Sequence, residues 1–306
     1  MPSSVRYLPL VDTHAHLNLE DFETDLDDLL ERSRLGRFPE IKGRQIEDPV
    51  FRPYVAGIVC PAVDLATSLS AIELAKSRDC VYASVGFHPN HTADLSEEEW
   101  RECEKLALGE NARLNKIVAI GETGLDLSWD ASPLETQLKF FRRELELGER
   151  LGLPVIVHSR ESNDVLMKTF REFYSDRPRP SDFERGVVHS FNGSLEQAEE
   201  LVDLGFYLGF GGFVTYTSKK FSELWKVAER VPADRILLET NCPYLTPHPL
   251  RGKLERNEPL ATLFAAKRLA ELRGVSVDEI ANQTAQNAVR FFKLPNLQER
   301  PEQYSS

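Results

Sequence analysis

The sequence has few cysteines and no long apolar segment. Nowhere do about eighteen consecutive apolar residues occur, which argues against a membrane-spanning helix. The start of the chain lacks a basic stretch followed by an apolar run, so we expect no secretory signal and a cytoplasmic protein. The four cysteines lie too far apart for a zinc ribbon or a redox pair, and we expect reduced thiols at Cys60, Cys80, Cys103 and Cys242.

Basic residues are also scarce, with 37 lysines and arginines against 49 acidic residues and a formal net charge of -12. This balance argues against a protein that coats nucleic acid by bulk electrostatic attraction. A polyanionic substrate would have to be met by bound cations or by a few basic side chains at one site. The hydrophobic share of 41% is ordinary, so we expect the 306 residues to bury a sizeable core.

Eight short apolar runs alternate with longer amphipathic stretches. The runs cover residues 8–12, 54–60, 81–87, 117–121, 155–158, 186–189, 206–210 and 236–239. Between them, residues 96–113 open with a helix-capping pattern, and residues 133–151 open with a proline suited to a first helical turn. Apolar strands that are each followed by a helix predict a parallel sheet with both faces covered.

Closing eight such units on themselves gives a (β/α)8 TIM barrel, an α/β fold of roughly 250 residues. We therefore predict a single domain over residues 1–306. The extra residues are assigned to an insertion after the first helix, at about 32–53, and to a frayed C-terminal tail at about 294–306. A doubly wound open sheet is the alternative topology.

Most of the seven histidines stand where a predicted strand ends, namely His14, His16, His88, His158 and His189. Because the carboxyl ends of barrel strands meet at one face, these imidazoles are expected to line one cup. His14 and His16 lie two residues apart on one side of the first strand and could grip one metal ion. Glu122 follows the fourth strand and could bridge two cations.

Six short motifs also follow the predicted strands in order. They are DTHAH at 12–16, GFHP at 86–89, GETGLD at 121–126, VIVHSR at 155–160, HSF at 189–191 and ETNCPYLTP at 239–247. Together these motifs resemble the signatures of the TatD family of metal-dependent deoxyribonucleases. The resemblance runs from about residue 11 to residue 259.

The resemblance implies a site with two divalent metal ions. His14 and His16 would hold one ion, His158 and His189 would hold the other, and Glu122 would bridge the two. Nitrogen-rich ligation favours Zn²⁺, whereas phosphodiester chemistry at a mixed histidine and carboxylate site also tolerates Mg²⁺ or Mn²⁺.

The chain departs from the family pattern after the eighth strand. The family has an aspartate there that ligates the first metal and handles the proton of the nucleophilic water, whereas this chain has Asn241. An amide oxygen can contact a cation, but it cannot accept a proton near neutral pH. We therefore take Asn241 as a candidate ligand that weakens activity. Glu239, two residues earlier, is a candidate substitute for the missing carboxylate.

The expected substrate is single-stranded DNA, which the enzyme would hydrolyse from its 3′ end. The candidate phosphate contacts are His88, Arg160 and a rim formed by Arg251, Lys253 and Arg256. We expect neither a membrane nor an obligate protein partner.

Two other functions stay open at this point. One is an amidohydrolase or lactonase, because related barrels also begin with two histidines on strand one. Many of those enzymes bridge their metals with a modified lysine at the end of strand four, where this chain has Glu122. The other is a catalytically silent barrel that binds nucleic acid or a protein partner, as Asn241 would suggest.

Overall fold

The computed structural model describes residues 6–41, 51–295 and 297–299. Eight parallel strands form one sheet in sequence order. They are β1 (Arg6–Asp12), β2 (Phe51–Cys60), β3 (Val81–Val85), β4 (Ile117–Asp126), β5 (Val155–Arg160), β6 (Gly186–Val188), β7 (Phe206–Phe210) and β8 (Ile236–Leu238). Each predicted apolar run overlaps one of these strands.

The first and last strands meet at their carboxyl ends. The backbone N–H of Thr13 donates to the carbonyl of Leu238 over 3.0 Å, and Ala15 pairs with Cys242 in a parallel bridge. The sheet therefore closes on itself, and the predicted TIM barrel is confirmed. The sequential strand order is not that of a doubly wound sheet, whose order reverses at a switch point.

Helices cover the outside of the barrel and its amino-terminal end. They are α1 (Leu26–Arg34), α2 (Leu65–Ser77), α3 (Glu97–Leu106), α4 (Glu110–Leu114), α5 (Leu134–Leu151), α6 (Asn163–Tyr174), α7 (Leu195–Asp203), α8 (Ser222–Arg230), α9 (Thr262–Arg273) and α10 (Val277–Phe292). None of the helices in the described part of the chain has the length and apolarity needed to cross a bilayer.

The amphipathic stretch at residues 96–113 forms two helices. Ser96 does cap α3, because its hydroxyl accepts from the N–H of Glu99 over 3.2 Å. The helix ends at Leu106, and a second helix begins only after Gly109, whose φ of +55° lies in the left-handed region. Glycine adopts that conformation without steric cost, so the chain can turn there.

The predicted insertion joins α1 to β2. The helix continues to Arg34 and the strand starts at Phe51, so both elements extend into the range 32–53. Residues 42–50 lie outside the described residues. Before that gap the connection is anchored by Phe38, which is buried and lies 5.4 Å from the ring of Phe264 in α9.

The predicted tail begins with residues that pack on the barrel. Leu294 is buried, and the backbone N–H of Gln298 donates to the carbonyl of Ala56 in β2 over 2.7 Å. Residues 300–306 lie outside the described residues. Ordered contacts with β2 therefore extend beyond the predicted start of fraying at residue 294.

The two ends of the barrel differ in chemistry. Helix α10 packs across the amino-terminal end, where the ring of Phe291 lies 4.6 Å from that of Tyr207 in β7. The side-chain amide of Asn287 donates to the carbonyls of Ala233 and Ile236, each over 2.8 Å, and so fixes α10 at the start of β8. The apolar interior is therefore closed on this side, and the polar residues gather at the carboxyl ends of the strands.

Candidate metal centre

A cavity of about 1600 Å³ opens at the carboxyl ends of the strands. Its lining includes most of the residues singled out from the sequence, namely His16, His88, Glu122, His158, Arg160, His189 and Asn241. His14 is fully buried and contacts both His16 and Glu122. Because the carboxyl ends of the strands converge, side chains that are far apart in sequence lie together in this cavity.

Glu122 is the centre of the arrangement. Its Oε2 atom lies 3.2 Å from Nε2 of His14 and 3.6 Å from Nε2 of His16. Its Oε1 atom lies 2.8 Å from Nδ1 of His158 and 2.9 Å from Nε2 of His189. Each carboxylate oxygen therefore faces one pair of histidines, which is the arrangement expected of a carboxylate that bridges two cations.

The ring nitrogens within each pair approach one another closely. Nε2 of His14 lies 3.2 Å from Nε2 of His16, and Nδ1 of His158 lies 3.2 Å from Nε2 of His189. Two lone pairs repel at this distance unless a proton or a cation lies between them. Each pair also places donor atoms within 4.8 Å of a Glu122 oxygen. This donor set fits a divalent cation at each pair.

Burial keeps the first histidine pair in the form that binds metals. It lowers the pKa of His14 well below its usual range and also lowers the pKa of His16. Burial likewise lowers the pKa of His88 to about 3. Neutral imidazoles carry a free lone pair, so they can ligate a cation without first losing a proton.

The second pair behaves differently because it has two acidic neighbours. Burial alone would lower the pKa of His158, but hydrogen bonds to Asp126 and Glu122 raise it to about 9. Burial alone would raise the pKa of Glu122, but its electrostatic interactions with the His189 and His14 rings and its hydrogen bonds with His14 and His158 hold it well below its usual range. Without metal, the proton therefore resides on His158, and a cation at its Nδ1 must displace that proton.

Asp12 holds β1 against the end of β8. Its carboxylate accepts from the backbone N–H of Thr240 over 2.9 Å and from that of His14 over 3.2 Å. Burial raises the pKa of Asp12 to about 8. In the sequence, Asp12 stood out only as the first residue of the DTHAH motif. Its contacts show that it holds the turn that carries His14 and His16.

Asn241 lies beside the first histidine pair. Its backbone N–H donates to the carbonyl of His14 over 2.8 Å, and its side-chain amide raises the pKa of His16 against the larger effect of burial. Its φ of +58° is in the left-handed region, which asparagine tolerates better than most residues. The structure thus places the amide where the sequence comparison expected a carboxylate.

Glu239 lies behind the histidines. It is buried, and its Oε1 atom accepts from the backbone N–H of Ser190. Its Oε2 atom and the Nδ1 atoms of His14 and His189 have no hydrogen-bond partner within the described structure. A donor atom from each of these three residues lies within 4.8 Å of the others. Glu239 is therefore positioned to orient two imidazoles from the side away from the cavity.

Asp126 is a site residue that sequence reasoning missed. Its Oδ2 atom lies 3.2 Å from Nε2 of His158 and 3.3 Å from Nδ2 of Asn90. Its Oδ1 atom accepts from the backbone N–H and the hydroxyl of Ser128. The available signal was its place in β4, four residues after Glu122, because an even spacing puts both carboxylates on one side of the strand.

The predicted phosphate contacts divide into two groups. His88 lies in the cavity, with Nε2 3.7 Å from Oε1 of Glu122, and Arg160 lines the cavity mouth. The other group lies away from the described lining: Arg251 stacks on Tyr216, Lys253 is exposed, and Arg256 pairs with Asp25. The rim inferred from the sequence is thus not part of this cavity.

A TIM barrel whose cup holds two histidine pairs around one carboxylate defines a metal-dependent hydrolase. The profile of the family described as "TatD related DNase" matches residues 11–293. The chain therefore belongs to the TatD family, as its motifs indicated.

Relatives with names and structures support this assignment. The chain is 37% identical over 285 residues to the uncharacterized metal-dependent hydrolase YabD of Bacillus subtilis (strain 168), which covers 93% of this chain and 99% of that protein. It is 32% identical over 243 residues to the 3'-5' ssDNA/RNA exonuclease TatD of Erwinia tasmaniensis, with coverage of 78% and 89%. The crystal structure of YjjV, a TatD homolog from Escherichia coli K12, matches with a TM-score of 0.78 and 31% identity, covering 93% and 98% of the two chains.

Proposed function

We propose that this protein is a two-metal nuclease that hydrolyses phosphodiester bonds of single-stranded DNA from the 3′ end. The observation that carries the proposal is the position of Glu122, whose two oxygens each face a different histidine pair. The similar protein from Erwinia tasmaniensis is described as a 3'-5' exonuclease on single-stranded DNA and RNA, which supports the substrate class and the direction.

The assignment of ligands follows the two pairs. His14 and His16 would hold the first ion with Asn241 beside it, His158 and His189 would hold the second, and Glu122 would contact both. When bound, two such cations lower the pKa of a water and stabilise charge on the attacking and leaving oxygens. Zn²⁺, Mg²⁺ and Mn²⁺ all suit the donor set.

The chain itself supplies binding and orientation. His88 is neutral and can donate one N–H to a phosphate oxygen, and Arg160 adds a permanent positive charge at the cavity mouth. The amide of Asn241 can orient a water by a hydrogen bond but cannot take its proton. Slow turnover by the native chain is the consequence.

The test is an exonuclease assay on single-stranded oligonucleotides labelled at either the 5′ or the 3′ end, with Mg²⁺, Mn²⁺ or Zn²⁺ added in turn. We expect metal-dependent release of nucleotides from the 3′ end. Replacing the bridging carboxylate in Glu122→Gln is expected to lower the rate by about 10³-fold or more, because one oxygen of the bridge becomes an amide nitrogen. If neither the native protein nor its Asn241→Asp variant cleaves DNA with any of these metals, the proposal is wrong.

The same preparation tests the two alternatives from the sequence. Turnover of a lactone or cyclic amide panel with DNA left intact would favour the amidohydrolase or lactonase. Tight binding of DNA without hydrolysis, together with metal analysis showing fewer than two ions per chain, would favour the silent barrel.

A further inference from the structure

We propose that Trp129, together with Arg160, forms a nucleobase-binding subsite at the mouth of the cavity. A base would stack on the indole while the adjoining phosphate contacts the guanidinium. This inference rests on the proposed nuclease function and deepens it by naming where the chain holds a base.

The exposure of Trp129 is the first observation. It lies three residues after Asp126, lines the cavity, and is 58% exposed. The other two tryptophans are used in packing: Trp100 is buried, and the indole of Trp225 donates to the carbonyl of Val214 over 3.2 Å. Exposing a large aromatic face to water is unfavourable, so a ligand that covers it gains free energy.

Arg160 is the second observation. Its guanidinium carbon lies 5.4 Å from the centre of the Trp129 ring. It is the only arginine or lysine among the described residues that line the cavity, and it stands two residues after His158 on β5. The guanidinium lies over one face of the indole, so a base would stack on the other face while its phosphate contacts the guanidinium.

The charges of the remaining lining explain why stacking is needed here. The carboxylates of Asp64, Glu161, Asp164 and Glu223 also line the cavity and repel phosphates that pass them. An array of arginines and lysines that would track a nucleic-acid backbone is absent from the described lining. Stacking does not depend on charge and tolerates every base, so it supplies affinity that electrostatics cannot supply here.

The position of Trp129 also assigns a side of the site. Trp129 lies under Arg160, which is two residues after His158 on β5, and three residues after Asp126, which contacts His158. Tyr244, which is also exposed and lines the cavity, lies instead beside the first histidine pair, 6.3 Å from the ring of His16. A base on Trp129 would thus be held beside the second histidine pair.

The kinetic test compares Trp129→Ala and Trp129→Phe with Leu127→Ala, which removes a partly exposed apolar side chain from the same loop but not from the cavity lining. On a single-stranded oligonucleotide we expect Trp129→Ala to raise KM about tenfold with kcat unchanged, the signature of lost uniform binding. Trp129→Phe, which can still stack, and Leu127→Ala should stay within about threefold of the native KM.

A matched substrate separates stacking from a general structural effect. For an oligonucleotide whose 3′-terminal residue lacks a base, we expect the KM of the native protein to be higher by a similar factor. On this substrate, Trp129→Ala should cause no further increase in KM. A native-like KM for Trp129→Ala on the normal oligonucleotide would overturn the proposal. So would an equal loss for this variant on both oligonucleotides.

A binding measurement decides the matter even if the native protein fails to cleave DNA. Thymidine 5′-monophosphate and deoxyribose 5-phosphate are each added to the metal-loaded protein while tryptophan fluorescence is recorded. Stronger quenching by the nucleotide, lost in Trp129→Phe, supports the subsite. Equal quenching by both ligands, or quenching that survives in Trp129→Phe, refutes it.

Discussion

The Nε2 atom of His158 lies 3.2 Å from Oδ2 of Asp126, on the side of the ring opposite Nδ1. A carboxylate at this position accepts the Nε2 proton, so that Nδ1 is the atom that can bind a cation once its own proton is displaced. Pairs of this kind fix the tautomer of a metal-binding histidine and increase its basicity. Asp126 thereby orients a candidate ligand of the second histidine pair.

Asp126→Asn is expected to weaken metal binding. The amide can present either an acceptor or a donor to Nε2, so the tautomer is no longer fixed and affinity should fall by about 10- to 100-fold. Calorimetric titration of the metal-free protein with Mn²⁺ or Zn²⁺ measures this. Asp164→Asn is the control, because Asp164 is an exposed carboxylate of the same cavity. A Kd within twofold of the native value for Asp126→Asn would contradict the assigned role.

Asn241→Asp is expected to accelerate the reaction. A carboxylate beside His16 can accept a proton that the amide cannot, and general-base groups contribute about 10²- to 10⁴-fold to kcat. Single-turnover cleavage of an end-labelled oligonucleotide measures the gain. Asn192→Asp adds the same charge at an exposed position of the cavity and serves as the control. Equal rates for the native protein and Asn241→Asp would show that proton transfer at residue 241 does not limit turnover.

Glu144 is expected to make stability depend on pH. Its Oε1 atom accepts from the backbone N–H of Phe87 over 2.9 Å, and burial raises its pKa from 4.5 to about 8. The folded state then keeps a proton that the unfolded chain releases. The resulting stabilisation is complete below about pH 4.5 and is lost as the pH rises through about 8.

Glu144→Gln should therefore flatten the decline in the free energy of unfolding between pH 5.5 and 8. The difference from the native slope is at most about 1.4 kcal/mol per pH unit, the value for one proton. Urea unfolding of the metal-free protein at several pH values measures it. Glu102→Gln, at an exposed position of α3, should keep the native slope; a native slope in Glu144→Gln as well would refute the prediction.

Salt dependence can separate the predicted phosphate contacts. If Arg160 binds a phosphate, Arg160→Ala should raise KM for single-stranded DNA and reduce the slope of log KM against log salt by about 0.7. Arg251 stacks on Tyr216 and lies outside the described cavity lining, so Arg251→Ala should change neither quantity. An effect of Arg251→Ala on both quantities, with none from Arg160→Ala, would show that DNA binds instead at the rim inferred from the sequence.

The barrel and its ligand candidates could be predicted because both depend on local patterns. Eight apolar runs specify eight strands, and the rule that their carboxyl ends converge is enough to group His14, Glu122 and His158 without knowing any distance. The family resemblance added the pairing of ligands, and the geometry around Glu122 agrees with it.

The remainder depended on contacts that sequence spacing does not encode. No pattern in the sequence indicates that Asp25, 231 residues away, pairs with the guanidinium of Arg256. Nor could the orientation of Glu239 be predicted from the sequence: it lies behind His14 and His189 because the backbone N–H of Ser190 holds one of its oxygens. Long-range ion pairs and buried hydrogen bonds are set by tertiary packing, so only the folded chain reveals them.

The position of helix α10 affects how substrate enters and product leaves the site. Phe291 and its neighbours fill the amino-terminal end of the barrel. A strand of DNA therefore cannot pass through the barrel from one end to the other. Under the proposed activity, DNA therefore enters and the released mononucleotide leaves through the same cavity opening. Each turnover must then wait for the previous nucleotide to depart, and accumulated mononucleotide should compete with fresh DNA for entry.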